Sequence, residues 1–169
     1  MKRSEALADF SRDHLPALRQ AKYLKEAGTK DGDYTAREAG EGFLEFWNDH
    51  AKLHFYEEEL VILPVLSRVG PVTEFDDIRT MLDDHAWFRD RVVEIEDQIE
   101  NKKDEDNEQL TKLVHEMGNR LETHARMEEQ EIFEFVQDKL TDEQLEAIHR
   151  RSIRFREQWR PDDIGPRTE

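Results

Sequence analysis

The chain is 169 residues long, enough for one domain with one apolar core, and carries 41 acidic against 25 basic residues, a formal net charge of −16. Such a surface repels phosphate backbones and anionic lipid headgroups, which argues against nucleic acid and membrane partners. No cysteine occurs, so disulfides, iron–sulfur clusters, thiolate zinc sites and cysteine nucleophiles are excluded, and any metal must be held by histidine and carboxylate.

The start, MKRSEALADFSRDH, lacks the apolar stretch and small-residue cleavage site of a secretory signal, and no run approaches about 18 apolar residues, so a cytoplasmic protein is expected. A first helix is predicted over 4–27, with Leu7, Phe10, His14, Leu18 and Ala21 on its apolar stripe. The break GTKDG at Gly28–Gly32 separates it from a second helix over 35–66, which Thr35 and Glu38 open as a capping box. Its stripe is Trp47, His50, His54, Glu58, Val61 and Val65. Pro16 and Pro64 are each expected to kink or end their helix. After Gly70–Pro71 a third helix is predicted over 73–100, bearing Ile78, Met81, His85, Phe88, Val92, Ile95 and Ile99. The charged NKKDEDNE then leads to a fourth over 107–139, with Leu110, Leu113, Met117, Leu121, His124, Glu128 and Phe135. Thr141 and Gln144 open a shorter fifth helix over 142–160, on which Leu145, Ile148, Phe155 and Trp159 form a stripe while Arg150, Arg151, Arg154, Arg156 and Arg160 line the remainder. The expected fit of this helix is against the acidic body, its arginines pairing with acidic side chains; a partner or dimer contact is the alternative. Residues 161–169 are expected to form a loose tail. No segment shows the period-two alternation of a strand.

Histidines interrupt the apolar face of every long helix. One histidine on such a face is ordinarily a core residue bonded to a carbonyl, but four together, with Glu58 four residues after His54 and Glu128 four after His124, form a pattern. Each pair sits one turn apart, so both side chains can reach one point. Two glutamates buried without cations would each cost several kcal/mol, and a bound dication removes that cost. The chain also repeats itself. RDH at Arg12–His14 and DDH at Asp83–His85 are 71 residues apart, and His54 and His124 are 70 apart, so two copies of one αα-hairpin are expected to pack as a four-helix bundle. Four imidazoles and two carboxylates exceed the needs of a catalytic zinc and suit two metals bridged by the carboxylates.

The pattern His14, His54-x-x-x-Glu58, His85, His124-x-x-x-Glu128 resembles the hemerythrin-like, HHE cation-binding family over roughly residues 4–140. The resemblance implies an all-α, up-down-up-down four-helix bundle with an added short C-terminal helix: a bundle over 1–140, the extra amphipathic helix over 141–160 packed upon it, and the tail. It also implies two iron ions with an oxo or hydroxo bridge, bound terminally by His14, His54, His85 and His124 and bridged by Glu58 and Glu128; the ligand set admits manganese or zinc as well. Oxygen binding, oxygen or iron sensing, nitric oxide or peroxide chemistry and iron handling all occur in that family. Two departures separate this chain from oxygen carriers, whose third helix supplies two histidines four residues apart and whose final carboxylate is an aspartate five residues after the histidine. Here Met81 and Arg89 flank His85 at that spacing, position 129 is Glu129, and the better-aligned carboxylate is Glu128. An iron ligand is thus missing, and the expectation is a more open site that reacts with or senses oxygen, nitric oxide or peroxide, the alternative being reversible oxygen binding or iron handling without turnover. His50, Arg89 and Glu129 are expected to flank the ligands, and His50, whose repeat partner is Arg120, to be a core or supporting residue. The chain is read as a monomer or homodimer. The single Glu-x-x-His match, Glu146 to His149, is set aside as coincidence because a ferritin-like site needs two copies. His-Glu-x-x-His and glycine-rich phosphate loops are absent, and His115 is expected on a solvated part of helix four.

Overall fold

The structure is a computed structural model that describes residues 2–101 and 107–159. Among these residues it is all-helical, without strands, and no helix is long and apolar enough to cross a membrane. Helix α1 spans Glu5–Glu26, capped by the Ser4 hydroxyl, which accepts from the Ala6 amide. It runs through Pro16 without ending, so of the two outcomes expected there, a kink or an end, the end does not occur. Gly28 takes a φ of +70°, a conformation that only glycine adopts cheaply, and turns the chain after α1.

Helix α2 is one long rod of five consecutive stretches: Ala36–Phe46, a π-helical turn at Trp47–Ala51, Lys52–Glu57, a second π-turn at Glu58–Ile62, and Leu63–Leu66. The capping box is present, the Thr35 hydroxyl accepting from the Glu38 amide and the Glu38 carboxylate accepting from the Thr35 amide. Pro64, lacking an N–H, falls just after the second π-turn and leaves only one further turn of helix. A 3₁₀ turn at Val72–Glu74 precedes α3 (Asp76–Asn101), so the regular helix begins later than the predicted residue 73. Helix α4 comprises Glu108–Met127, a π-turn at Glu128–Ile132 and Phe133–Lys139; α5 is Asp142–Trp159. Arg160 and the expected tail 161–169 lie outside the described residues.

Helix α1 packs most closely along α4, where a side chain at Gly118 would meet the Ala21 carbonyl oxygen at 2.8 Å. Helix α2 contacts α1, α3 and α4, and α5 lies against α1 and α2. The core forms two clusters. One gathers Leu24, Phe43, Trp47, Phe55, Phe88 and Met117, the other Leu7, Phe10, Val65, Met81, Phe133 and Val136. Each fully buried aliphatic or aromatic side chain contributes about 1.5–3 kcal/mol. The π-turns shift the stripes. Glu128–Ile132 holds an extra residue per turn, so Phe133 is fully buried and the predicted Phe135 only half-buried. On α5, Ile148 and Phe155 of the predicted stripe are buried together with Ser152 and Arg156, Leu145 packs half-buried beside them, and Trp159 is exposed.

Candidate metal centre

Between the two clusters lies a polar layer. His54 meets Phe10 of one cluster, His14 lies parallel to Phe133 at 5.5 Å, and on the other side His85 stacks on Phe55 at 3.9 Å while His124 meets Phe88. His14 comes from α1, His54 and Glu58 from α2, His85 from α3, and His124 and Glu128 from α4; all six are buried. The structure brings them together in two sets. One ligand atom from each of His14, His54, Glu58 and Glu128 lies within 4.8 Å of the others, and the same holds for Glu58, His85, His124 and Glu128. Glu58 and Glu128 belong to both sets.

The inward nitrogen of every imidazole is Nε2. His14 Nε2 lies 2.9 Å from Glu128 Oε2 and 3.2 Å from His54 Nε2; His54 Nε2 lies 3.1 Å from Glu58 Oε1. His85 Nε2 is 3.3 Å from Glu58 Oε2 and 3.6 Å from Glu128 Oε1, to which His124 Nε2 approaches at 2.9 Å. Despite this proximity, both Glu58 oxygens, Glu128 Oε1, His85 Nε2 and His124 Nε2 are buried without hydrogen-bond geometry. Buried polar atoms are nearly always bonded, and imidazole nitrogens and carboxylate oxygens converging outside hydrogen-bond geometry fit a cation. The donor set is nitrogen and oxygen only, suiting iron, manganese or zinc.

Each outward Nδ1 faces a carboxylate from another helix. His14 Nδ1 is hydrogen-bonded to Glu129 Oε1 at 2.8 Å, His85 Nδ1 to Glu59 Oε1 at 2.7 Å and His124 Nδ1 to Asp84 Oδ2 at 3.1 Å, while His54 Nδ1 stands 3.3 Å from Asp13 Oδ2, an ion-pair contact outside hydrogen-bond geometry. An Nδ1–H held by a carboxylate leaves the Nε2 lone pair pointing inward, the tautomer a metal requires. Two of the three π-turns help here, because they begin at the glutamates of the inner set, Glu58 and Glu128, each followed by the carboxylate that reaches an outer nitrogen, Glu59 or Glu129. Behind the carboxylates stand four arginines: Arg3 on Glu129 at 2.7 Å, Arg156 on Asp13 at 3.2 Å, Arg89 on Glu59 at 3.0 Å and Arg120 on Asp84 at 2.7 Å.

These contacts move the protonation equilibria. Burial alone would push His14 down, but hydrogen bonds to Glu128 and Glu129 outweigh it and raise its pKa to about 9; His85, buried beside Glu128, Glu58 and Glu59, is raised to about 10. Burial pushes Glu129 up, and the bonds from His14, Ser11 and Arg3 bring it down to about 2. Against its burial and the neighbouring Glu128, Glu58 is held below the usual carboxylate range by His54 and His85. Without a metal the imidazolium protons balance the two inner glutamates, and a dication would replace those protons.

Of the flanking residues expected, Glu129 touches His14 directly and Arg89 reaches His85 through Glu59. Of the two places expected for His50, the core is corrected: it is exposed, sitting on the π-turn Trp47–Ala51, where its ring leans on Phe46. It lines a cavity of about 30 Å³ shared with His14, His54, His124 and Glu128. His115 is also corrected: it is half-buried, with Nε2 2.8 Å from the Ala27 carbonyl oxygen. Asp13, Glu59 and Asp84 were not singled out from sequence, although the two Asp-His dipeptides and the consecutive glutamates carried the signal. Arg3 and Arg120 carried none, since their partners lie far away along the chain.

The family model for the hemerythrin HHE cation-binding domain matches residues 5–136, and the chain belongs to this family. Comparison with curated proteins and with solved structures returned no significant match.

Proposed function

We propose that the protein is a non-haem di-iron protein of the hemerythrin kind that reacts with or senses a small diatomic or oxidant such as oxygen, nitric oxide or peroxide. The observation that carries this reading is the sharing of Glu58 and Glu128 between two sets of four converging ligands. His14 and His54 would hold one metal, His85 and His124 the other, within an up-down-up-down bundle to which α5 is an addition. Two iron ions there supply one-electron redox steps and open coordination positions to a small ligand.

The chain's own residues set the terms of access and of proton supply. The aromatic rings around the histidines exclude bulk water, and the four outer carboxylates fix ring orientation. The cavity beside His14 and His54 is about 30 Å³, room for water or a diatomic and not for an organic substrate. At the His85/His124 pole no third histidine is at hand: Met81 is buried in the apolar cluster and Arg89 is engaged by Glu59. That balance of two imidazoles at each pole favours reaction or sensing over oxygen carriage. We place the protein in the cytoplasm, as monomer or homodimer.

Anaerobic reconstitution with ferrous iron, followed by elemental analysis and optical spectroscopy, tests the assignment. Close to two irons per chain are expected, and one or none would refute it. Catalytic loss of peroxide or nitric oxide then supports turnover, whereas stoichiometric, reversible spectral change supports the alternative, a binding or iron-handling module.

A further inference from the structure

The arginine behind Asp13 differs from the other three. The side chains of Arg3, Arg89 and Arg120 are 20%, 33% and 42% exposed, and that of Arg156 is 9% exposed. It belongs to α5, beyond the residues that match the family. Its Nη2 donates to Asp13 Oδ2 at 3.2 Å and its Nε to Glu57 Oε1 at 2.8 Å. Ser152, one turn earlier on the same helix, donates to that same Glu57 oxygen. Glu57 is fully buried and directly precedes Glu58, while Asp13 Oδ2 stands 3.3 Å from His54 Nδ1. One guanidinium therefore holds both the residue next to an inner glutamate and the carboxylate that orients His54. Solvent screens the loss of an exposed arginine, but removing one member of a buried pair leaves its partner's charge poorly compensated.

We propose that Arg156 is a positioning residue for the metal centre: α5 clamps Asp13, Asp13 fixes the His54 ring, and the His14/His54 pole thereby depends on a helix outside the family domain. The inference rests on the metal-binding reading above. Its effect is local, because His85 and His124 are oriented by Glu59 and Asp84, which pair with Arg89 and Arg120.

Cobalt(II) is a suitable probe, being coloured, stable in air and bound by nitrogen and oxygen donors at least as well as ferrous ion. Metal-free full-length protein would be titrated with cobalt(II) against a chromophoric chelator, with thermal midpoints recorded in parallel, for wild type, Arg156→Gln, Arg156→Lys, Arg120→Gln and Ser152→Ala. Arg156→Gln is expected to weaken one of two cobalt ions by about 10- to 100-fold and to change its absorption, leaving the other unchanged. Arg156→Lys should recover most of that loss, Arg120→Gln should shift affinity less, and Ser152→Ala should lower the thermal midpoint without altering either ion. Wild-type affinity and spectrum in Arg156→Gln, or equal weakening of both ions matched by Ser152→Ala, would overturn the proposal. If Arg156→Gln does not fold, Asp13→Asn decides: loss confined to one ion supports the clamp, and unchanged binding overturns it. A wild-type protein that takes up no cobalt would instead refute the metal-centre reading itself.

Discussion

Each inner glutamate faces imidazoles from both hairpins, so its removal acts on two poles at once. Glu58→Ala or Glu128→Ala should bring iron content after reconstitution down to roughly half or less, because a shared ligand is lost and the histidines keep an unbalanced positive charge. Arg89→Ala, acting only through Glu59 and partly exposed, should retain both ions. Elemental analysis of the three variants checks this, and full metal in both glutamate variants with loss in Arg89→Ala would put the site on other residues. The same groups set a pH dependence that differs in sign with and without metal. In the metal-free protein His14 and His85 rise from 6.5 to about 9 and about 10, so the stability they contribute is complete below pH 6.5 and lost as pH climbs through that range. Glu129 falls from 4.5 to about 2, so its contribution is present above pH 4.5 and lost as pH drops through 2. Metal-free protein should accordingly melt at its highest temperature between about pH 4.5 and 6.5. The iron-loaded form should lose metal on acidification below about 6.5, where protons claim the imidazoles. Thermal melts of both forms across pH test the pair, and a metal-free protein that gains stability between pH 6.5 and 10 contradicts it.

At the scale of the helix, two glycines should respond to alanine with opposite signs. Alanine is favoured over glycine in a helix interior by about 1 kcal/mol. At Gly42 nothing lies within 4 Å of an added Cβ, so Gly42→Ala should stabilise by about that amount. At Gly118 the Cβ would meet the Ala21 carbonyl oxygen and Leu24 Cβ, both at 2.8 Å. Forcing α1 and α4 apart costs about 1–3 kcal/mol, which exceeds the propensity gain, so Gly118→Ala should destabilise. Thermal midpoints moving by about 2–4 °C per kcal/mol would show it, and the same sign at both positions would contradict the close approach. The helices themselves were legible in sequence because caps and breaks such as Thr35 with Glu38 and Gly28 act locally, and the inner ligands because His54 and Glu58 repeat at 70 residues in His124 and Glu128. The π-turns were not. An insertion of one residue per turn leaves no mark in composition, yet it moved Phe133 inward, Phe135 outward and His50 to the surface. Arg156 pairs with acidic side chains of the body, as expected for the arginines of this helix, but which ones was not legible, because Glu57 and Asp13 lie 99 and 143 residues away.

Across the whole molecule, the four outer carboxylates close a circle. Asp13 of α1 pairs with His54 of α2 at ion-pair distance, Glu59 of α2 holds His85 of α3, Asp84 of α3 holds His124 of α4, and Glu129 of α4 returns to His14 of α1. Apolar stripes alone let helices slide and roll against one another at little cost, whereas here no helix can turn about its own axis without breaking one link ahead of it and one behind. The circle thus acts as an indexing mechanism that selects one rotational setting for all four rods before any ion arrives. Metal-free Asp13→Asn/Asp84→Asn protein should therefore keep its far-ultraviolet circular dichroism while its amide proton resonances broaden and lose dispersion, as several settings become populated. Sharp, native-like spectra in that double variant would mean that core shape alone sets the phase of the helices.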